Sequence, residues 1–179
     1  MTSRELEEYR ALRATIRERG TARHWIAVAG FAAWAAVATA VGALSAVPEE
    51  IFVSLLVLVA TFEVIVALHT GVERVGRYLQ VFHESESEAA CWEEVAMRFG
   101  GTYGGGGIDA LFSPVFWLAT LFNLIPAVFT APLPTEWAIL AVVHALFAGR
   151  VWSARRQAAG QRALDLERFS RLKAERPPA

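Results

Sequence analysis

The chain has 179 residues, 55% of them apolar, and its 17 Lys and Arg against 18 Asp and Glu leave a net charge of −1. A soluble domain runs at roughly 45–50% apolar residues; the excess here lies in four long runs, which argues against a soluble enzyme or a basic nucleic-acid-binding domain. The single cysteine, Cys91, excludes an internal disulfide and reads as a reduced thiol.

The chain opens with a capping box, Thr2 with Glu5, which starts a helix near Ser3. Leu6, Tyr9, Leu12 and Ile16 form a narrow apolar stripe on it, and Gly20 is the expected stop. Acid and base share the rest of its surface, so protein contact is favoured over lipid contact. The first apolar run follows, about His24 to Leu44, close to the 20 or so residues that cross a bilayer. A cleaved leader is the competing reading of this run. It is disfavoured because the preceding 23 residues hold Glu5, Glu7, Glu8 and Glu18, and because the apolar stretch exceeds the usual 7–15 or so residues. Ala32, Ala36 and Ala40 are spaced by four, a pattern that lets helices approach closely.

The second run, about Ile51 to Thr70, is interrupted by Glu63, and nothing breaks a helix before Glu84. Such a helix reaches about 51 Å where the hydrocarbon core takes about 30 Å, so it is expected to project beyond the bilayer. Gly71 and Gly76 weaken that continuous helix slightly, or else mark points of close approach. Ser85 with Glu88 makes a second capping box, predicting a helix to about Phe99 with Gly100 as its stop. Ala89, Trp92, Ala96 and Phe99 share its apolar face. Its acidic side is expected to meet a basic C-terminal helix rather than an anionic leaflet.

Residues 100–107 are mostly glycine and read as a linker. They lack the Gly-Lys-Ser/Thr ending of a phosphate-binding loop and follow a helix, not a strand. Asp109 is the expected cap of the third run, about Ala110 to Ala131, which carries Pro114, Asn123 and Pro126 on what reads as a single helix. The fourth run, about Trp137 to Trp152, carries His144 and ends at Arg150, a residue long enough to snorkel. Its helix should continue to about Ala174 with a weak stripe of Ala159, Ala163, Leu166 and Phe169. Trp25, Trp137 and Trp152 fall at predicted membrane edges, as interface anchors do.

The basic residues give the orientation. Six lie before the first run, three between the second and third, and eight from Arg150 onward; 45–50 and 132–136 have none. The positive-inside rule then holds both termini and the middle segment in the cytoplasm. The fold class predicted is all-α: a four-helix transmembrane bundle of two helical hairpins, with amphipathic cytoplasmic helices, N-in/C-in, in a cytoplasmic (inner) membrane. Its segments are an amphipathic helix (1–23), a first hairpin (24–70), a cytoplasmic helical loop with its Gly-rich linker (71–107), a second hairpin (108–152) and a basic helix (153–179).

Two constellations are candidate sites. Glu63 lies about 18 Å from the outer edge, with His144 about 12 Å and Asn123 about 10 Å in from the same side. An intramembrane carboxylate is costly and raises the question of function. As a working site the three would hold a proton or cation, Glu63 exchanging a proton with His144; as glue they would hydrogen-bond the helices together, which is the favoured reading. The second constellation is His69, Glu73, Arg74, Arg77, Tyr78, His83 and Glu84, a charged face on the projecting helix. Arg74 and Arg77 lie within about 40° of Glu63 around the helix axis. The face suits an anionic lipid head group or an ion-pair seam with a copy of itself or a partner, and the seam is favoured. His69 and Glu73, spaced i and i+4, are two possible metal ligands with no third nearby, so no metal centre is expected. No catalytic motif or cofactor fingerprint is present. The expected role is that of a scaffold, accessory subunit or oligomeric sensor acting through cytoplasmic helices. Its partners would be the lipid bilayer and a second copy or another membrane protein, with no nucleic acid. The alternative is a small proton or cation channel, or a proton-coupled carrier, centred on Glu63 with Asn123 and His144.

Overall fold

The computed structural model describes residues 2–44, 50–84, 92–103 and 110–175. Among these the structure is helical without strands: α1 (Ser3–Leu44), α2 (Ile51–Leu79) ending in a π-turn (Gln80–Glu84), α3 (Trp92–Tyr103), α4 (Ser113–Phe122), α5 (Ile125–Thr130) and α6 (Pro134–Ala174). Four stretches, Ser3–Leu44, Ile51–Glu84, Ser113–Thr130 and Pro134–Ala174, are long and apolar enough to cross a membrane.

The start of α1 is the capping box read from sequence. The Thr2 amide donates to Glu5 Oε2 at 2.6 Å and the Glu5 amide to Thr2 Oγ1 at 3.3 Å. The bond from the Thr2 backbone holds the Glu5 carboxyl below its ordinary value of 4.5. A depressed carboxylate stabilises the fold above its unfolded pKa and loses that contribution as pH falls through the folded one. The first turn should therefore fray on acidification below about pH 4, seen as lost exchange protection of the Leu6 amide, which bonds to the Thr2 carbonyl.

Gly20 does not stop the helix: α1 runs through it for 42 residues. A helical glycine costs about 1 kcal/mol relative to alanine, which a long ladder absorbs when no proline follows. Gly100 and Gly101 likewise lie inside α3, which reaches Tyr103. The second capping box, Ser85 with Glu88, and the expected Asp109 cap and Gly104–Gly107 linker lie outside the described residues.

The third apolar run is not one helix. It divides at Asn123–Leu124 into α4 and α5. Pro126 is the cause: it offers no N–H to the Phe122 carbonyl, and its ring crowds that group. The chain tightens there, with the Leu124 amide bonding to Leu121 O and the Ala127 amide to Leu124 O, both at 3.1 Å. Phe112 and Ala131, at the two ends of this stretch, hold left-handed φ of 53° and 48°. Glu136 closes the start of α6 by accepting the Leu133 amide at 2.7 Å, and Pro134 occupies the helix position where a missing N–H is harmless.

The chain clusters into two compact units. One comprises residues 23–67 and 109–156, the other 1–22, 68–108 and 157–179. The first is built in layers, each drawing on α1, α2, the α4–α5 stretch and α6. Phe31, Phe62, Phe116 and Phe147 form an aromatic layer, with ring centroids 4.8 to 6.3 Å apart along its contacts. Trp34, Ser54, Asn123 and His144 form a polar layer. Ile51, Ala127 and Leu140 form an apolar layer, with Val41 and Trp137 against it.

Gly30 shows why one glycine of α1 is needed: a Cβ there would fall 2.8 Å from Thr61 Cβ and closer still to its Cγ2 and Oγ1. Nothing lies within 4 Å of a Cβ at Gly20. Gly30→Ala should destabilise by about 1–3 kcal/mol through overpacking, while Gly20→Ala should stabilise by about 0.5–1 kcal/mol. Thermal denaturation of the two variants side by side checks the contrast.

In the second unit, Tyr78, Phe82 and Phe169 stack α2 on the end of α6. The inward stripe of that part of α6 is charged as much as apolar: Asp165 is 5% exposed, whereas Ala163 is exposed. Ion pairs to α2 explain the difference.

Candidate functional site

The break between α4 and α5 delivers Asn123 to the centre of the first unit, where it is fully buried. Its Oδ1 accepts from Trp34 Nε1 at 2.9 Å and from Ser54 Oγ at 2.6 Å. Its Nδ2 donates to the Ile51 carbonyl at 3.4 Å and meets His144 Nε2 at 3.0 Å. Indole nitrogen only donates, which fixes the amide orientation. His144 Nδ1 lies 2.7 Å from the Leu140 carbonyl, an acceptor, so Nδ1 carries the proton and Nε2 accepts from Asn123. A further proton on Nε2 would face amide donors and find no acceptor. One side chain thus joins all four apolar stretches with every polar atom of its amide bonded.

The structure brings Asn123 and His144 together and leaves Glu63 out of their hydrogen bonds. Glu63 Oε2 instead accepts from Arg150 Nη2 at 2.8 Å, with side chains 44% and 36% exposed. The Arg150 guanidinium also lies 5.9 Å over the Phe62 ring. Arg150 is therefore held laterally rather than extended along its own helix.

Residues of the second constellation are engaged within their unit. Glu73 pairs with Arg162 at 2.9 Å and Arg74 with Asp165 at 3.5 Å, a crossed seam between α2 and α6. Arg77, 4% exposed, pairs with Glu93 of α3 at 3.2 Å and donates to Gln80 at 2.6 Å. Tyr78 donates to Glu8 of α1 at 2.8 Å. The His83 ring lies 5.8 Å from both Tyr9 and Tyr78. Glu84 caps α3 by accepting the Glu93 amide at 3.1 Å. His69 is buried. Among the described residues no three His, Cys, Asp or Glu side chains converge as metal ligands.

The acidic helix is turned the other way from the sequence expectation. Glu93 is 8% exposed, whereas Trp92 and Phe99 are 67% and 60% exposed. The Glu93 carboxylate is met by Arg77 of α2 and by Arg13 of α1 at 2.7 Å. Gly76 makes the room: a Cβ there would stand 3.0 Å from Glu93 Oε2. Gly71 similarly admits Arg19, whose Nη1 would lie 2.5 Å from an added Cβ.

Sequence reading passed over Trp34, Ser54, Arg13, Glu93 and Asp165. Trp34 carried a usable signal, since an indole N–H within an apolar helix needs an acceptor. The others looked like ordinary surface charges or a small helix residue.

No protein-family model, no curated protein and no solved structure matches this chain.

Proposed function

We propose that the chain is a four-pass integral membrane protein whose residues 23–67 and 109–156 lie in the bilayer as two helical hairpins. Its remaining helices form a cytoplasmic scaffold. The observation that carries this is an inverted surface. Phe129, Trp25, Leu146, Leu56 and Leu121 are 64% to 81% exposed on the unit whose interior holds Asn123, His144 and Ser54. Water would not tolerate that exterior as a continuous surface; hydrocarbon would. The layer order supports the hairpins. From aromatic to polar to apolar layer the numbers rise on α1 (31, 34, 41) and on α4–α5 (116, 123, 127), and fall on α2 (62, 54, 51) and α6 (147, 144, 140). Both connections free of Lys and Arg, 45–50 and 131–133, adjoin the apolar layer in sequence. That is the arrangement of two hairpins with basic ends inside.

The scaffold role draws on how the charges are used. Those of the Glu73–Glu84 face bond to neighbouring helices, while α3 keeps Trp92, Val95 and Phe99 exposed at i, i+3 and i+7, the spacing of a helical docking stripe. The pairing of Glu63 with Arg150 and the contacts that engage both ring nitrogens of His144 support this reading over a proton carrier.

Two experiments test it. An impermeant maleimide should label Thr135→Cys from outside intact cells and the native Cys91 only in inverted vesicles; labelling of both from one side sinks the topology. Reconstituted protein should pass no protons, and Glu63→Gln should lower only its thermal stability. Proton flux that Glu63→Gln abolishes would replace the scaffold with a carrier.

A further inference from the structure

The Glu63–Arg150 pair stands at the surface of an otherwise apolar exterior, and this inference rests on the bilayer reading of that unit. Glu63 is twelve residues into α2, about 18 Å from its start, well inside a hydrocarbon layer of about 30 Å. On α2 the exposed neighbours of Glu63 are Leu56, Ala60 and Ala67, all within about 60° of it around the axis. On α6 the exposed Ile139 and Leu146 lie within about 40° of Arg150. Lipid tails offer neither charge a hydrogen bond, and the 2.8 Å contact ties Arg150 sideways to Glu63 instead of letting it reach a head group. Charged side chains at membrane depth face protein or water, not tails.

We infer that this α2–α6 face is a homodimer interface, in which a second copy lays its own Glu63–Arg150 pair across this one. The chemistry is self-complementary. The pair is neutral and directed from one helix to its neighbour, so a two-fold axis along the membrane normal sets each carboxylate opposite the other copy's guanidinium. The four charges close into a ring with both free sides of the original pair covered. The surrounding Leu56, Ala60 and Leu146 are apolar and suit contact with the same residues across the axis. Such isologous contacts are the commonest way that identical chains associate.

The test uses the full chain in native membrane vesicles, with Cys91→Ser as background. Ala60→Cys should form a disulfide-linked dimer on oxidation, at least ten times more than Phe129→Cys, which is exposed on α5. Equal, low cross-linking at both positions overturns the dimer. In the Ala60→Cys background, Glu63→Arg or Arg150→Glu alone should reduce cross-linking about ten-fold. Co-expressing the two differently tagged chains should restore it as a heterodimer, because each then supplies the charge that the other lacks. Failure to restore overturns the charge ring, and the Ala60→Cys result still stands as the readout if a charge variant does not fold. Carbonate washing separates the two levels: a chain stripped from the vesicles removes the bilayer reading itself, whereas a retained chain without cross-links removes only the dimer.

Discussion

Asn123→Ala should lower the thermal unfolding midpoint of the purified protein well beyond the effect of Leu124→Ala beside it. The substitution strands the Trp34 indole N–H and the His144 Nε2, and it deprives Ser54 of one of two acceptors. An unmet buried polar group costs about 1–3 kcal/mol, while hydrogen bonds between membrane helices average about 0.6 kcal/mol. With several groups released at once, a loss of about 2–4 kcal/mol is expected. The comparison that isolates the network is Asn123→Ala against Leu124→Ala, which removes apolar contact beside the same break and no hydrogen bond. If the two variants melt together, Asn123 is not the hub. His144→Ala in the Asn123→Ala background should add little of the hydrogen-bond cost, since their shared bond is already gone; residues in one network are non-additive.

This network explains why the third run was read as a single helix. Pro126 announced a disturbance, but proline within an apolar run is compatible with a kink as well as a break. The break that Pro126 causes serves a tertiary contact that no local signal shows: an amide placed where three other helices each have a group to bond it. Asn123 and His144 were legible as a pair because similar depths within neighbouring helices leave few other partners. Glu63 was misplaced in depth: it stands nine residues past Ser54, beside Phe62 of the aromatic layer, and Arg150 had been credited with reaching for the surface. The four apolar helices, the start of α1 and the length of α2 were legible because a capping box and a long uninterrupted run are local signals. Gly20 and Gly100 misled for the opposite reason: a glycine marks a helix end only when the chain beyond it has somewhere better to go.

Glu93→Ala should destabilise the charged unit by about 3–5 kcal/mol, the usual result of removing one partner from a buried pair. Arg77 would remain 4% exposed with its counter-charge gone, still donating to Gln80. Arg13, whose side chain is 30% exposed, can turn to water and should matter less. The expected readout is selective: proteases should cut within 68–84 and 92–103 of the variant at temperatures where the apolar unit still resists. Arg77→Leu with Glu93→Leu should recover most of the loss, because a buried ion pair exchanged for apolar residues of similar size is often close to neutral. Recovery would show that the pair's worth lies in not leaving either charge alone. It would also explain the orientation of α3. Once Arg77 is drawn into the unit beside Gly76, one carboxylate must follow it, and the helix that supplies Glu93 then turns Trp92 and Phe99 outward. An apolar face was given up so that a charge need not stand alone, and that leaves α3 with the exposed stripe on which the scaffold role draws.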